Sequence, residues 1–232
     1  MNLIQQAFQE LFPTSELQYK TILKYNKKLG DFNANIKLNY GILQVNMNYK
    51  WQGIDDEIQK GLIQTLLVKM FGKRFRYKSK TTFNIELYNN FVKKIPTITP
   101  ITKTNPVLEA SFHRVNQNHF YNLIDQPNLV WGTASKAKLA CYNFHNDTIT
   151  VSTIFQEARS DILDYLIYHE LLHKKQKFKY KAGRNYFHTK KFRTAESLFP
   201  NQKQIEIEIT GLIRKSKRPR KQSFFKSVFR NL

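Results

Sequence analysis

The chain has 232 residues, 41% hydrophobic and 14% aromatic, enough to bury a core as one domain with extensions or as two small ones, and too apolar for a disordered protein. Thirty-eight Lys and Arg against 17 Asp and Glu give a net charge of +21, a field that attracts polyanions: nucleic acid first, an anionic membrane surface second. No run of about eighteen apolar residues is present to span a membrane, and the single cysteine, Cys141, excludes an internal disulfide and a cysteine-based zinc cluster.

Residues 1–8 lack the basic start and cleavage site of a secretory leader and read as a short amphipathic helix ending near Pro13. With the lone cysteine this gives a cytoplasmic expectation, and Cys141 itself reads as a small buried hydrophobe. Residues 43–49 alternate as a strand, and a helix follows over 55–70. Residues 93–106 hold Pro96, Pro100 and Pro106, which remove backbone donors and bias their predecessors away from helix. The expected division is therefore an N-terminal α/β part at 1–95, a proline-rich linker at 96–106, a domain at 107–213 and a basic tail at 214–232.

In that domain, 108–125 has helical periodicity, 129–131 and 138–144 read as short strands, and 147–155 is a β-branched strand. A helix then spans 160–176, with Asp161 as its expected N-cap and Asp164 near its first turn. Ile162, Leu163, Leu166, Ile167, Leu171 and Leu172 surround this helix with apolar surface, which marks it as buried. The earlier helix echoes it: Ile58, Leu62, Ile63 and Leu67 match Ile162, Leu166, Ile167 and Leu171 at a constant offset. Either the chain carries a duplication or two strand–helix pairs look alike.

The chemistry lies on the buried helix. His169 and His173 are four apart, so both imidazoles share one face, and two nitrogens at about 2 Å from one ion are easy to place. Glu170 beside them can take a proton from a metal-bound water without being a ligand. In the echo these positions are Thr65, Leu66 and Lys69, which hold no metal. A catalytic zinc takes three protein ligands, and the third candidate is His188, delivered by a loop through Gly183, Arg184 and Asn185 and anchored by Phe192; Glu196 is the runner-up. His113, His119 and His145 read as ordinary histidines. Zinc, one per chain, is the default for helical histidines, although manganese, cobalt and iron use the same donors.

The segments at 131–135, 146–149, 169–173 and 188–192 resemble the SprT-like and YgjP-like metallopeptidase families, minimal gluzincin-type domains, over about 108–200. The resemblance implies His169, His173 and His188 as zinc ligands and Glu170 as general base. SprT-like relatives include proteases acting on proteins crosslinked to DNA, while a nucleotide pyrophosphatase activity is attributed to the YgjP-like group.

Between His173 and Thr194 lie nine cations and no acid: Lys174, Lys175, Lys177, Lys179, Lys181, Arg184, Lys190, Lys191 and Arg193, interleaved with Phe178, Tyr180, Tyr186 and Phe187. Cations that track phosphates and rings that stack on bases point to nucleic acid. The tail repeats the pattern with Arg218, Arg220 and Lys221 before several phenylalanines, which also suits an amphipathic segment on an anionic membrane. Tyr180 and Tyr186 read as packing residues before oxyanion donors.

The expected fold is α+β, a small mixed or antiparallel sheet on the metal helix, a second helix bringing His188, and a further strand–helix layer from the N-terminal part. The expected function is a zinc peptidase with a protein substrate near DNA or other nucleic acid. The alternatives are a hydrolase of nucleotide phosphates and a non-enzymatic nucleic-acid-binding protein with a vestigial metal.

Overall fold

Asn2 starts the first helix, α1 (Leu3–Leu11), with a capping box: its side chain accepts from the Gln5 N–H and Gln5 bonds back to the Asn2 N–H. Ile4, Ala7, Phe8 and Leu11 recur at helical spacing and are buried. The computed structural model describes residues 1–75, 81–181 and 184–216. Strands β1 (Lys20–Asn26), β2 (Ala34–Asn39) and β3 (Ile42–Asn48) form a sheet of order β1-β3-β2, with β1 parallel and β2 antiparallel to β3. Tyr40 and Gly41 turn β2 into β3 with φ of 46° and 74°, the two left-handed residues of a tight hairpin. Leu43, Val45 and Met47 point from β3 into the core, where they meet α1 and helix α2 (Asp56–Phe71), capped by Asp55.

Helix α3 (Phe83–Ile98), capped by Thr82, packs on α2. Gly61 permits the contact: a Cβ there would lie 1.9 Å from the Asn84 carbonyl oxygen. Residues 96–98, expected to begin the linker, are the end of this helix, with Pro96 inside it. Burial of Val92 and Ile95 in a cluster with Phe144 and Phe178 outweighs the proline signal two residues before the helix stops. Beyond α3 the chain runs along the next sheet. The Asn128 carboxamide accepts from the Thr102 and Lys103 N–H groups, both at 2.8 Å, and Leu129 and Asn105 complete the pairing.

Asn105 caps α4 (Pro106–Phe120), and Pro106 at the first turn costs the helix no hydrogen bond. Strands β4 (Asn128–Trp131), β5 (Ala140–Asn143) and β6 (Thr148–Val151) form a second sheet, β4-β6-β5, again with one parallel and one antiparallel pair. Strand β6 is shorter than expected because Ser152 caps a 3₁₀ turn, Thr153–Phe155. Helix α5 (Ser160–Gln176) has the expected ends, but Arg159 is its N-cap residue. Asp161 sits inside the first turn, in an ion pair with Arg159 at 2.6 Å. A hairpin, β7 (Lys179–Lys181) with β8 (Arg184–Tyr186), and helices α6 (Lys190–Glu196) and α7 (Gln202–Lys215) complete an α+β fold.

The two units share one order of elements: helix, three strands with the last at the centre, a 3₁₀ turn, and a buried helix. The offset that aligns the helices also aligns Val45 and Met47 with Ile149 and Val151, the turn caps Asn48 and Ser152, and the buried rings Trp51 and Phe155. No helix among the described residues is long and apolar enough to cross a membrane.

Candidate metal centre

Helix α5 is buried through Ile162, Leu163, Leu166, Ile167 and Leu171, which fixes the face that carries His169 and His173. Their Nε2 atoms are 3.2 Å apart. His188 arrives just before α6, whose first turn is set by Thr189 accepting from the Phe192 N–H. Its Nε2 lies 3.3 Å from that of His169, and the three ligand atoms all fall within 4.8 Å of one another. Two nitrogens each about 2.05 Å from a tetrahedral ion are about 3.3 Å apart, so the spacing fits zinc. The fully buried Phe192 lies beneath all three rings, with centroid distances of 5.1 Å to His169, 4.6 Å to His173 and 4.9 Å to His188.

The electrostatics suit metal ligation, which needs neutral imidazoles. Burial pushes the His173 pKa down to about 3, helped by His169 and His188, and burial also lowers His169. Glu196 faces the other nitrogen of His169, with its Oε1 at 2.6 Å from Nδ1. That is the place of a carboxylate that orients a histidine rather than of a further ligand, and it leaves His169 Nε2 facing His173 and His188. Tyr165 extends the network, donating to Glu206 at 2.7 Å and lying 3.4 Å from Glu196. Replacing Glu196 by Ala is expected to weaken metal affinity roughly 10- to 100-fold, as chelator competition would measure. An unchanged affinity would show that Glu196 does not orient His169.

Glu170 is 4% exposed. Burial pushes its pKa up to about 8, opposed by the Tyr142 backbone N–H that donates to it and by the Lys138 charge.

The cations expected to contact nucleic acid divide. Lys174 is a correction: its ammonium is buried against Asp147, 2.8 and 2.7 Å from the two carboxylate oxygens, and Tyr142 donates to the same carboxylate at 2.6 Å. A positive φ of 43° at Asp147, in the β5–β6 turn, aims it inward. Lys174 thus ties the metal helix to the sheet and offers no free charge. Lys175 is exposed over the Phe120 ring, Lys177 is half-buried, and Lys179, Lys190 and Lys191 are exposed. Lys181 and Arg184 pair across the hairpin through their backbones. Arg218, Arg220 and Lys221 lie outside the described residues, as does Gly183.

Tyr180 packs against the core of the first unit, and Tyr186 is exposed. Cys141 is half-buried rather than a core residue. His119 lies between Tyr168 and Phe199, and His145 meets Asn33; neither joins the triad. The Tyr142 N–H, Asp147 and Tyr165 are the supporting groups that the spacing of residues along the chain does not announce.

No family model matches the chain, and no curated protein matches it. Among solved structures it is similar to the metallopeptidase zymogen jannalysin of Methanocaldococcus jannaschii, at 21% identity and a TM-score of 0.36, over 49% of this chain and 96% of that one. It is similar also to the metallopeptidase zymogen abylysin of Pyrococcus abyssi, at 23% identity and a TM-score of 0.35, over 46% of this chain and 95% of that one.

Proposed function

We propose that the chain is a zinc-dependent peptidase of the SprT-like kind, with His169, His173 and His188 holding the ion and Glu170 as general base. The observation that carries this reading is the convergence of His169, His173 and His188, with Nε2 of His169 3.2 and 3.3 Å from the other two, beside a buried carboxylate outside that cluster. His169, His173 and His188 would hold the ion, and zinc bound there would supply a Lewis acid that lowers the pKa of water and polarises a carbonyl. Glu170 accepts the proton of the attacking water, and its raised pKa, about 8, suits it to hold that proton and deliver it to the leaving amine. The exposed edge of His188 leaves the site open to a polypeptide.

The test supplies zinc and compares an unfolded protein with a nucleoside triphosphate. New peptide termini, absent with Glu170→Gln, support the peptidase. Triphosphate hydrolysis with intact polypeptide would replace it with the phosphate hydrolase.

We further propose that the substrates are proteins on nucleic acid. The exposed Lys179, Lys190 and Lys191, on the segment that delivers His188, support this reading. The Lys179→Gln/Lys190→Gln/Lys191→Gln variant is expected to reduce the slope of log K against log salt for single-stranded DNA by about 2. Wild-type binding that does not respond to salt, or an unchanged slope, would remove this part.

A further inference from the structure

A cleft of about 660 Å³ lies between the two units. The first unit lines it with Lys69 from α2 and with Tyr88 and Val92 from α3. The second lines it with β5, with Thr148 and Thr150 on the outer face of its sheet, and with Phe187. None of the three imidazoles lines the cleft, yet it reaches the metal centre in two places. Phe187 precedes His188, and its ring is 6.0 Å from that of His173. Tyr142, in the same wall, presents its backbone N–H to Glu170.

The charged lining is one-sided. Lys69 and Lys138 face the cleft; among the described residues no Asp or Glu lines it and neither lysine forms an ion pair, while the Lys138 charge also reaches Glu170. Asn143, Asn146 and Asn185 add amide groups. The position of Lys69 is informative. Helix α2 occupies in the first unit the place that α5 occupies in the second, and Lys69 falls where α5 carries His173, as Thr65 and Leu66 fall at His169 and Glu170. The first unit has no metal set at that site and presents a cation instead. Two cations in a concave wall without carboxylates raise the local concentration of anions and reject like charge.

We infer that the first unit is a metal-free copy of the second, now serving as the substrate-binding wall, and that Lys69 with Lys138 forms a subsite for acidic side chains of a polypeptide. The class of substrate rests on the peptidase reading; the subsite itself does not.

The test uses the full chain, zinc-loaded, as the Glu170→Gln variant so that nothing is cleaved. Two rhodamine-labelled peptides of equal length, one rich in Asp and Glu and one with Asn and Gln at the same places, are titrated at fixed ionic strength by anisotropy. The acidic peptide is expected to bind roughly tenfold more tightly. Adding Lys69→Gln/Lys138→Gln should reduce the difference to about twofold, whereas Lys24→Gln/Lys28→Gln, two exposed lysines of β1 and the turn after it, should leave it unchanged. Equal affinities, or an equal loss in both double variants, would overturn the subsite and leave only bulk charge. If the wild type cuts neither peptide, the peptidase reading fails while the binding difference still decides the subsite.

Discussion

Replacing Glu170 by Gln is expected to lower peptide hydrolysis by a factor of about 10²–10⁴ while zinc content stays at the wild-type level. The separation follows from the geometry. Glu170 lies outside the ligand triad, so removing its charge leaves three imidazole donors in place. Gln has nearly the size and shape of the carboxylate, and its carbonyl can still accept from the Tyr142 N–H that faces Glu170, so the change removes the basicity and little else. Hydrolysis within about threefold of wild type would assign the proton transfer to another group or mark the centre as structural.

Asp147→Ala is expected to destabilise the protein by about 3–5 kcal/mol in chemical denaturation, because it strands the Lys174 ammonium in a site where its side chain is 10% exposed. Tyr142 loses its acceptor in the same change. Lys174→Met combined with Asp147→Asn should recover most of the loss, since it removes the buried cation, keeps an acceptor for Tyr142 and places at the positive φ a residue that tolerates it. A loss below about 1 kcal/mol for Asp147→Ala would show that solvent reaches Lys174 and that the pair behaves as a surface contact.

The metal helix was legible because its signals are local. The four-residue spacing of His169 and His173 and the apolar residues around them define a buried helix with one polar face, and the ends at Ser160 and Gln176 match the periodicity. Along the chain His188 ranks first as third ligand and Glu196 second, since both can reach the centre. What separates them is which nitrogen of His169 each one faces, and that depends on α6 docking through Phe192.

Lys174 shows the opposite limit. In a basic run it looks like one more surface cation, and only the β5–β6 turn, far back in the chain, brings Asp147 to it. Pro96 misled in the same way: a proline marks a break locally, while Val92 and Ile95 are held in the helix by Phe144 and Phe178 from the other unit. The echo between α2 and α5 was ambiguous as a pattern of four apolar residues. It becomes specific when the sheet order, the turn caps Asn48 and Ser152, and the rings of Trp51 and Phe155 align with it.

Metal content tests the central claim most directly. The full-length protein, supplied with zinc and freed of excess, is measured by elemental mass spectrometry as wild type and as His188→Ala. About one zinc per chain in the wild type and nearly none in His188→Ala is the expected result, given three ligands of which one is removed. A wild type that retains no zinc, or a His188→Ala variant that retains it fully, would contradict the three-histidine centre.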